Sequence, residues 1–169
     1  RPGAAVPCED GRWIVAHEEG FGFFDWESGQ LDTFDRCLAE LPHTRMNDGK
    51  CDPAGRFWAG GMMESDEGSA ELYSVDASGD VSTHLGGLGC SNGLAWSLDA
   101  LRFYYIDTPT SRIDLFDYDL ASGAITNRRP FISIPAEAGW PDGMSIDTNG
   151  NLWLALWGGS AVQCYDGEN

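Results

Sequence analysis

Basic residues are scarce in this chain: 10 Lys and Arg stand against 27 Asp and Glu, a formal net charge of −17. A polyanion is held by neutralising its phosphates with Lys and Arg, so nucleic acid is excluded as an expected partner. An anionic membrane surface is disfavoured for the same reason. No run approaches the ~18 apolar residues that span a bilayer. The first twenty residues hold Glu9, Asp10, Glu18 and Glu19 and no apolar stretch, so no signal peptide is expected there. The start at Arg1 points to processing or to a piece of a longer protein. Cys8, Cys37, Cys51, Cys90 and Cys164 are odd in number, widely spaced and free of any CxxC pair. Neither a disulfide framework nor a structural zinc site is expected. Reduced thiols suit a cytoplasmic setting. Convincing helical periodicity is also missing; Phe34 to Leu41 is at most a short helical turn.

What the chain does have is apolar and turn-rich. Hydrophobic residues make up 42% and aromatics 12%, enough for a sizeable core and too much for a disordered chain. There are 22 glycines, roughly double the ~7% average, which implies many tight turns and short strands.

A repeat organises these features. Gly11-Arg12-Trp13-Ile14-Val15-Ala16 is echoed by Gly55-Arg56-Phe57-Trp58-Ala59-Gly60, by Leu101-Arg102-Phe103-Tyr104-Tyr105-Ile106 and by Gly150-Asn151-Leu152-Trp153-Leu154-Ala155. A second element keeps step with it: Phe24-Asp25-Trp26-Glu27-Ser28-Gly29, Tyr73-Ser74-Val75-Asp76-Ala77-Ser78-Gly79, Phe116 to Gly123, and Tyr165-Asp166-Gly167. Each apolar run has strand length and is bounded by hairpin-forming residues. A multi-stranded repeat of about 45 residues is the length of a propeller blade. The expected fold class is therefore all-β, a β-propeller, of which the chain covers about three and a half blades. Trp13, Trp58, Trp96 and Trp153 recur at repeat positions and are expected in the core. His17, His43 and His84 are isolated and not expected to be catalytic.

A third recurrent element carries the chemistry. Asn47-Asp48-Gly49, Ser91-Asn92-Gly93 and Trp140-Pro141-Asp142-Gly143 each precede an apolar strand by seven to nine residues. They read as turns whose glycine takes a conformation closed to other residues and admits close backbone approach. In a propeller, equivalent loops converge at one mouth of the channel, which would aim Asn47, Asn92 and Asp142 into one pocket. One carboxylate and two amide oxygens favour a hard divalent cation, Ca²⁺, Mg²⁺ or Mn²⁺, or a catalytic Zn²⁺. Taken singly, each triplet is an ordinary turn former; three in register point to a site. Trp140 would wall that pocket or simply pack, and Lys50 reads as solvated or strand-capping.

Arg45-Met46-Asn47-Asp48-Gly49-Lys50-Cys51-Asp52-Pro53-Ala54-Gly55-Arg56, Ser91-Asn92-Gly93-Leu94-Ala95-Trp96-Ser97 and Pro141-Asp142-Gly143-Met144 resemble the senescence marker protein/gluconolactonase/luciferin-regenerating-enzyme family. Phe103 to Thr108 and Phe116 to Arg129 resemble it too. The resemblance implies a six-bladed propeller with one divalent metal in its channel. It also implies hydrolysis of a small sugar lactone to the aldonic acid, a reaction on a carboxylic ester. Residues 1–169 would then be one partial propeller domain, lacking the first blade and the C-terminal blades. Carried over by position, Asn92 and Asp142 are metal ligands, Asp142 is also the general base, and Arg45 and Asn47 hold substrate. The family's early Glu ligand has no match, since Glu18 and Glu19 lie in a different motif. A further substrate-contacting Glu falls on Ser65, with Glu64 beside it. No obligate protein partner is evident. The competing expectations are a propeller that binds a ligand or metal without turnover and a segment inactive by itself.

Overall fold

The aromatic and β-branched runs form strands and the Asp-Ser-Gly segments close hairpins between them. The computed structural model describes residues 1–65 and 69–168. Its first sheet comprises β1 (Pro2–Pro7), β2 (Trp13–His17), β3 (Gly20–Asp25) and β4 (Gln30–Asp35). The second comprises β5 (Thr44–Cys51), β6 (Phe57–Met63), β7 (Ala70–Val75) and β8 (Val81–Leu88). The third comprises β9 (Ser91–Trp96), β10 (Arg102–Asp107), β11 (Arg112–Tyr118) and β12 (Ile125–Ser133). The fourth is β13 (Trp140–Ile146), β14 (Leu152–Trp157) and β15 (Ala161–Tyr165). Each sheet is an antiparallel meander in chain order, so every strand pairs with its neighbour in sequence. The only helical pieces among the described residues are two 3-10 turns, Thr108–Thr110 and Ala136–Ala138. The expected all-β class holds, and three sheets of four strands with one of three agree with about three and a half blades.

The hairpin chemistry repeats with the sequence. The Asp25 carboxylate accepts from the backbone N–H groups of Glu27 and Ser28, each at 2.8 Å, and Gly29 then takes φ +70°. Asp119 accepts from Ser122 at 2.7 Å ahead of Gly123 at φ +76°. In both, the short acidic side chain satisfies turn N–H groups and glycine supplies the positive φ.

The chain divides into two compact units, Arg1–Cys51 with Gly55–Ser91, and Asp52–Ala54 with Asn92–Asn169. The first unit is cored by Ile14, Ala16, Phe21, Phe57, Tyr73 and Val75. Phe21 sits edge-on to Phe57 and Tyr73 at centroid distances of 6.0 and 6.3 Å. The second is cored by Tyr104, Ile106, Ile113, Leu115 and the leucines of β14. Full burial of each Val, Leu, Ile or Phe side chain among them contributes about 1.5–3 kcal/mol.

β14 corrects one expectation. Leu152, Leu154 and Leu156 are buried, whereas Trp153 is 44% exposed and Trp157 68% exposed. Successive residues of a strand face opposite sides, and here only one side of the sheet is covered. Trp153 donates its indole N–H to Asp147 at 3.0 Å instead of entering the core. Trp58 and Trp96 are buried as expected, and Trp13 is half-buried. All five cysteines are free thiols. No helix among the described residues is long and apolar enough to cross a membrane.

Candidate functional site

The three polar-glycine steps are not turns. Asn47, Asn92 and Asp142 lie inside β5, β9 and β13, the first strand of the second, third and fourth sheets. The apolar run that follows each is the second strand, not the first. Nor do Gly49, Gly93 or Gly143 have positive φ. Asn, Asp and Gly are poor strand formers, and part of the accommodation is a β-bulge. Met46 pairs with Gly61 and Asp48 with Gly60, leaving Asn47 as the extra residue. Pro141 pairs with Leu156 and Met144 with Leu154, so the slip in β13 falls on Asp142-Gly143. The same slip occurs at Gly3 in β1. A bulge bends the strand and re-aims the side chain it carries.

The glycines serve close approach. A Cβ on Gly3 would lie 2.5 Å from the Met46 carbonyl carbon, and one on Gly93 would lie 2.7 Å from the Asp142 carbonyl oxygen. First strands of successive sheets therefore pass backbone to backbone, β1 beside β5 in the first unit and β9 beside β13 in the second. Gly143 has no such neighbour within 4 Å.

Arg45 and Asn47 meet in the first unit. The Arg45 guanidinium donates to the Met46 carbonyl at 2.9 Å and to the Asn47 amide oxygen at 3.3 Å. The Asn47 amide nitrogen donates to the Ser91 carbonyl at 2.9 Å and contacts the Cys90 thiol at 3.6 Å. Glu64 faces the same group: its carboxylate is 3.6 Å from the Arg45 guanidinium and 2.8 Å from that of Arg1. The neighbouring Ser65 is exposed. This is a charged, half-buried cluster able to donate hydrogen bonds to hydroxyl or carbonyl oxygens.

Asn92 and Asp142 belong to the second unit. Asn92 is buried and Asp142 half-buried. The Asn92 amide nitrogen donates to the Thr108 hydroxyl at 3.0 Å, and that hydroxyl donates to the Pro141 carbonyl at 2.8 Å. One hydroxyl thus ties the residue that precedes the bulge of β13 to the amide of β9. Thr108 ends the segment Phe103 to Thr108 and carried no role in the sequence; a lone threonine after a strand gives no signal of one. Trp140 is 48% exposed.

Among the described residues, no three His, Cys, Asp or Glu side chains gather to hold a metal ion. In the second unit, Asn92 with its amide oxygen and Asp142 with its carboxylate stand on adjacent strands. Both are hard oxygen donors, the chemistry that suits Ca²⁺, Mg²⁺ or Mn²⁺, and a cation held by these two would keep positions for water and substrate.

The remaining polar candidates lie in the first unit, not in that of Asn92 and Asp142. His17 is buried: its Nδ1 accepts from the Glu19 N–H at 3.3 Å and its Nε2 meets the Thr33 hydroxyl at 3.2 Å. Burial lowers its pKa, against the smaller opposing pull of Glu19. His84 hydrogen-bonds Ser74 at 2.8 Å and stacks on Trp58 at 4.0 Å. Lys50, read as solvated or strand-capping, is half-buried near the end of β5; burial lowers its pKa and Asp48 partly offsets this. Glu18 and Glu19 border a groove of about 580 Å³ over the first sheet, walled by Trp13, Phe24, Trp26 and Leu31. None of Arg45, Asn47, Asn92 or Asp142 lines it.

The family model described as SMP-30/Gluconolactonase/LRE-like region matches residues 1–169. Regucalcin of Danio rerio is 42% identical over 163 residues, covering 95% of this chain and 55% of that protein. Among solved structures, a luciferin-regenerating enzyme superposes with TM-score 0.90 at 31% identity, over 98% of this chain and 58% of its own. A regucalcin from Agrobacterium tumefaciens, described as a calcium-binding protein, gives TM-score 0.88 at 30% identity, over 96% of this chain and 56% of its own. The chain thus spans about half the length of the relatives it matches.

Proposed function

The chain belongs to the SMP-30/Gluconolactonase/LRE-like family, and from that premise we propose that it is part of a metal-dependent hydrolase that opens a sugar lactone to its aldonic acid. The observation that carries this reading is the pairing of Asn92 with Asp142. Their strands meet at Gly93, where no side chain fits, and Thr108 links the two. The gluconolactonase in the family's description supports the substrate class, and the calcium-binding relative supports a divalent cation.

Asn92 and Asp142 would hold the cation. Bound there, it would stabilise the negative charge that grows on the lactone carbonyl oxygen. Water adds to that carbonyl carbon, and Asp142 takes the proton of the water as general base. The ring C–O bond then breaks, and the departing oxygen takes a proton to become the free hydroxyl of the acid. A carboxylate engaged as a ligand is a weaker base, so Asp142 divides between orienting and proton transfer. Arg45 and Asn47, the proposed substrate-holding pair, can donate to sugar hydroxyls or ring oxygens, and holding a substrate in one orientation lowers the entropic part of a barrier. The Arg45–Glu64 ion pair keeps the guanidinium in place.

Hydrolysis of gluconolactone and related aldonolactones above the spontaneous rate tests the reading. Ca²⁺, Zn²⁺, Mn²⁺ and Mg²⁺ are added singly after chelation. A cation-dependent rate that Asp142→Ala abolishes is the expected result. A rate indifferent to both chelation and Asp142→Ala would defeat the proposal.

A further inference from the structure

We infer that Thr108 is a positioning residue that points the Asn92 amide oxygen at the cation; this rests on the cation reading above. The argument is one of proton counting. A threonine hydroxyl has one hydrogen to donate. The Pro141 carbonyl can only accept, and it lies 2.8 Å from Thr108 Oγ1, so the hydroxyl hydrogen is committed there. What Thr108 offers Asn92 at 3.0 Å is therefore a lone pair. Only the NH₂ end of the amide can meet it. The flipped amide would set the Asn92 oxygen against an oxygen with no hydrogen left to share. Thr108 thus fixes which end of Asn92 faces away from it, and that end is the oxygen, the atom a hard cation binds.

The hydroxyl is itself held in place. Thr108 opens the 3-10 turn that follows β10, with Pro109 as its second residue. The Ser111 N–H closes the turn onto the Thr108 carbonyl at 3.0 Å, and Ser111 takes φ +51°. Its acceptor, the Pro141 carbonyl, belongs to the peptide immediately before Asp142. The same hydroxyl therefore orients one ligand through its amide and steadies the backbone that carries the other. Partners of this kind, hydrogen-bonded to ligands without touching the metal, are worth 10- to 100-fold in metal affinity.

The test is direct titration of the chelated protein with Ca²⁺ and with Zn²⁺ by calorimetry, using wild type, Thr108→Val and Thr108→Ser. Valine keeps the shape and loses the hydroxyl; serine keeps the hydroxyl. The expected result is about 10- to 100-fold weaker binding in Thr108→Val, with Thr108→Ser close to wild type. Equal affinity in wild type and Thr108→Val would overturn the inference while leaving the cation reading intact, provided Asn92→Ala still abolishes binding. Absence of any binding by wild type would overturn both. A second measurement needs no variant. Hydrogen exchange of the Asn92 side-chain amide, followed by NMR, is expected to be slowed well below that of an exposed asparagine; free exchange would contradict the bond to Thr108.

Discussion

Asn47 and Asn92 occupy the same slot of two successive sheets, and the structure gives them different surroundings. Two residues before Asn47 stands Arg45, which donates to the Asn47 amide oxygen. Two residues before Asn92 stands Cys90, which carries no formal positive charge. The Asn47 amide is thus part of a donor cluster, with a guanidinium alongside that would repel a cation. The Asn92 amide nitrogen instead donates to Thr108, next to a strand carrying the carboxylate of Asp142. In the first sheet the same slot is Gly3, with no side chain at all. On the reading we propose, one repeated backbone position takes different roles from its neighbours in sequence: substrate holding at Asn47, cation holding at Asn92 and Asp142.

The sharpest way to separate the two slots is to remove the carboxylate. Asp142→Asn is expected to lower the lactonase rate constant by about 10²–10⁴, the range of a lost general base. Steady-state assay at saturating cation reads the loss, and an unchanged kcat would remove Asp142 from the chemistry.

Stability follows. Gly93→Ala places a Cβ 2.6 Å from Ile106 and 2.7 Å from the Asp142 carbonyl. Overpacking of that kind costs about 1–3 kcal/mol. Gly143→Ala meets nothing within 4 Å and is expected to stay within about 0.5 kcal/mol of wild type. Urea melts of the two variants check the difference, and equal losses would mean that β9 and β13 do not approach as described.

Arg45→Met is expected to raise KM about 10- to 100-fold, the worth of a charge-assisted hydrogen bond, while leaving cation affinity unchanged. A fall in cation affinity instead would dissolve the division of labour between the slots.

The smallest effect expected is on pH dependence. Burial holds the His17 pKa below its ordinary value near 6.5. The unfolded chain therefore takes up this proton at a higher pH than the folded one. The stability carried by the neutral ring is full above pH 6.5 and falls as pH drops below it, towards the lowered folded-state value. Thermal melts of His17→Gln between pH 7.5 and 5 are expected to show a shallower fall in Tm than wild type. Parallel curves would place the ring's proton elsewhere.

The fold was legible because two markers kept one period. Aromatic strands such as Phe103 to Ile106 and turns such as Asp119 to Gly123 each obey a local rule, and their spacing adds a long-range one. The candidate site residues stood out as triplets for the same reason. Their setting was not. Asn-Asp-Gly has the propensity of a turn, and only pairing across β5 and β6 makes it a bulged strand; propensity yields to tertiary context there. Trp153 was misplaced because its repeat equivalents Ile14, Trp58 and Tyr104 are buried, whereas β14 has only one covered face, which a repeat pattern does not encode. Thr108 was invisible because its role is a hydrogen bond to a residue 33 positions away.

The most direct test of this division is a calorimetric cation titration of two alanine variants, Asn92→Ala and Asn47→Ala, against wild type. The account predicts that Asn92→Ala loses divalent-cation binding while Asn47→Ala keeps wild-type affinity. Equal losses in both, or retention in Asn92→Ala, would contradict it.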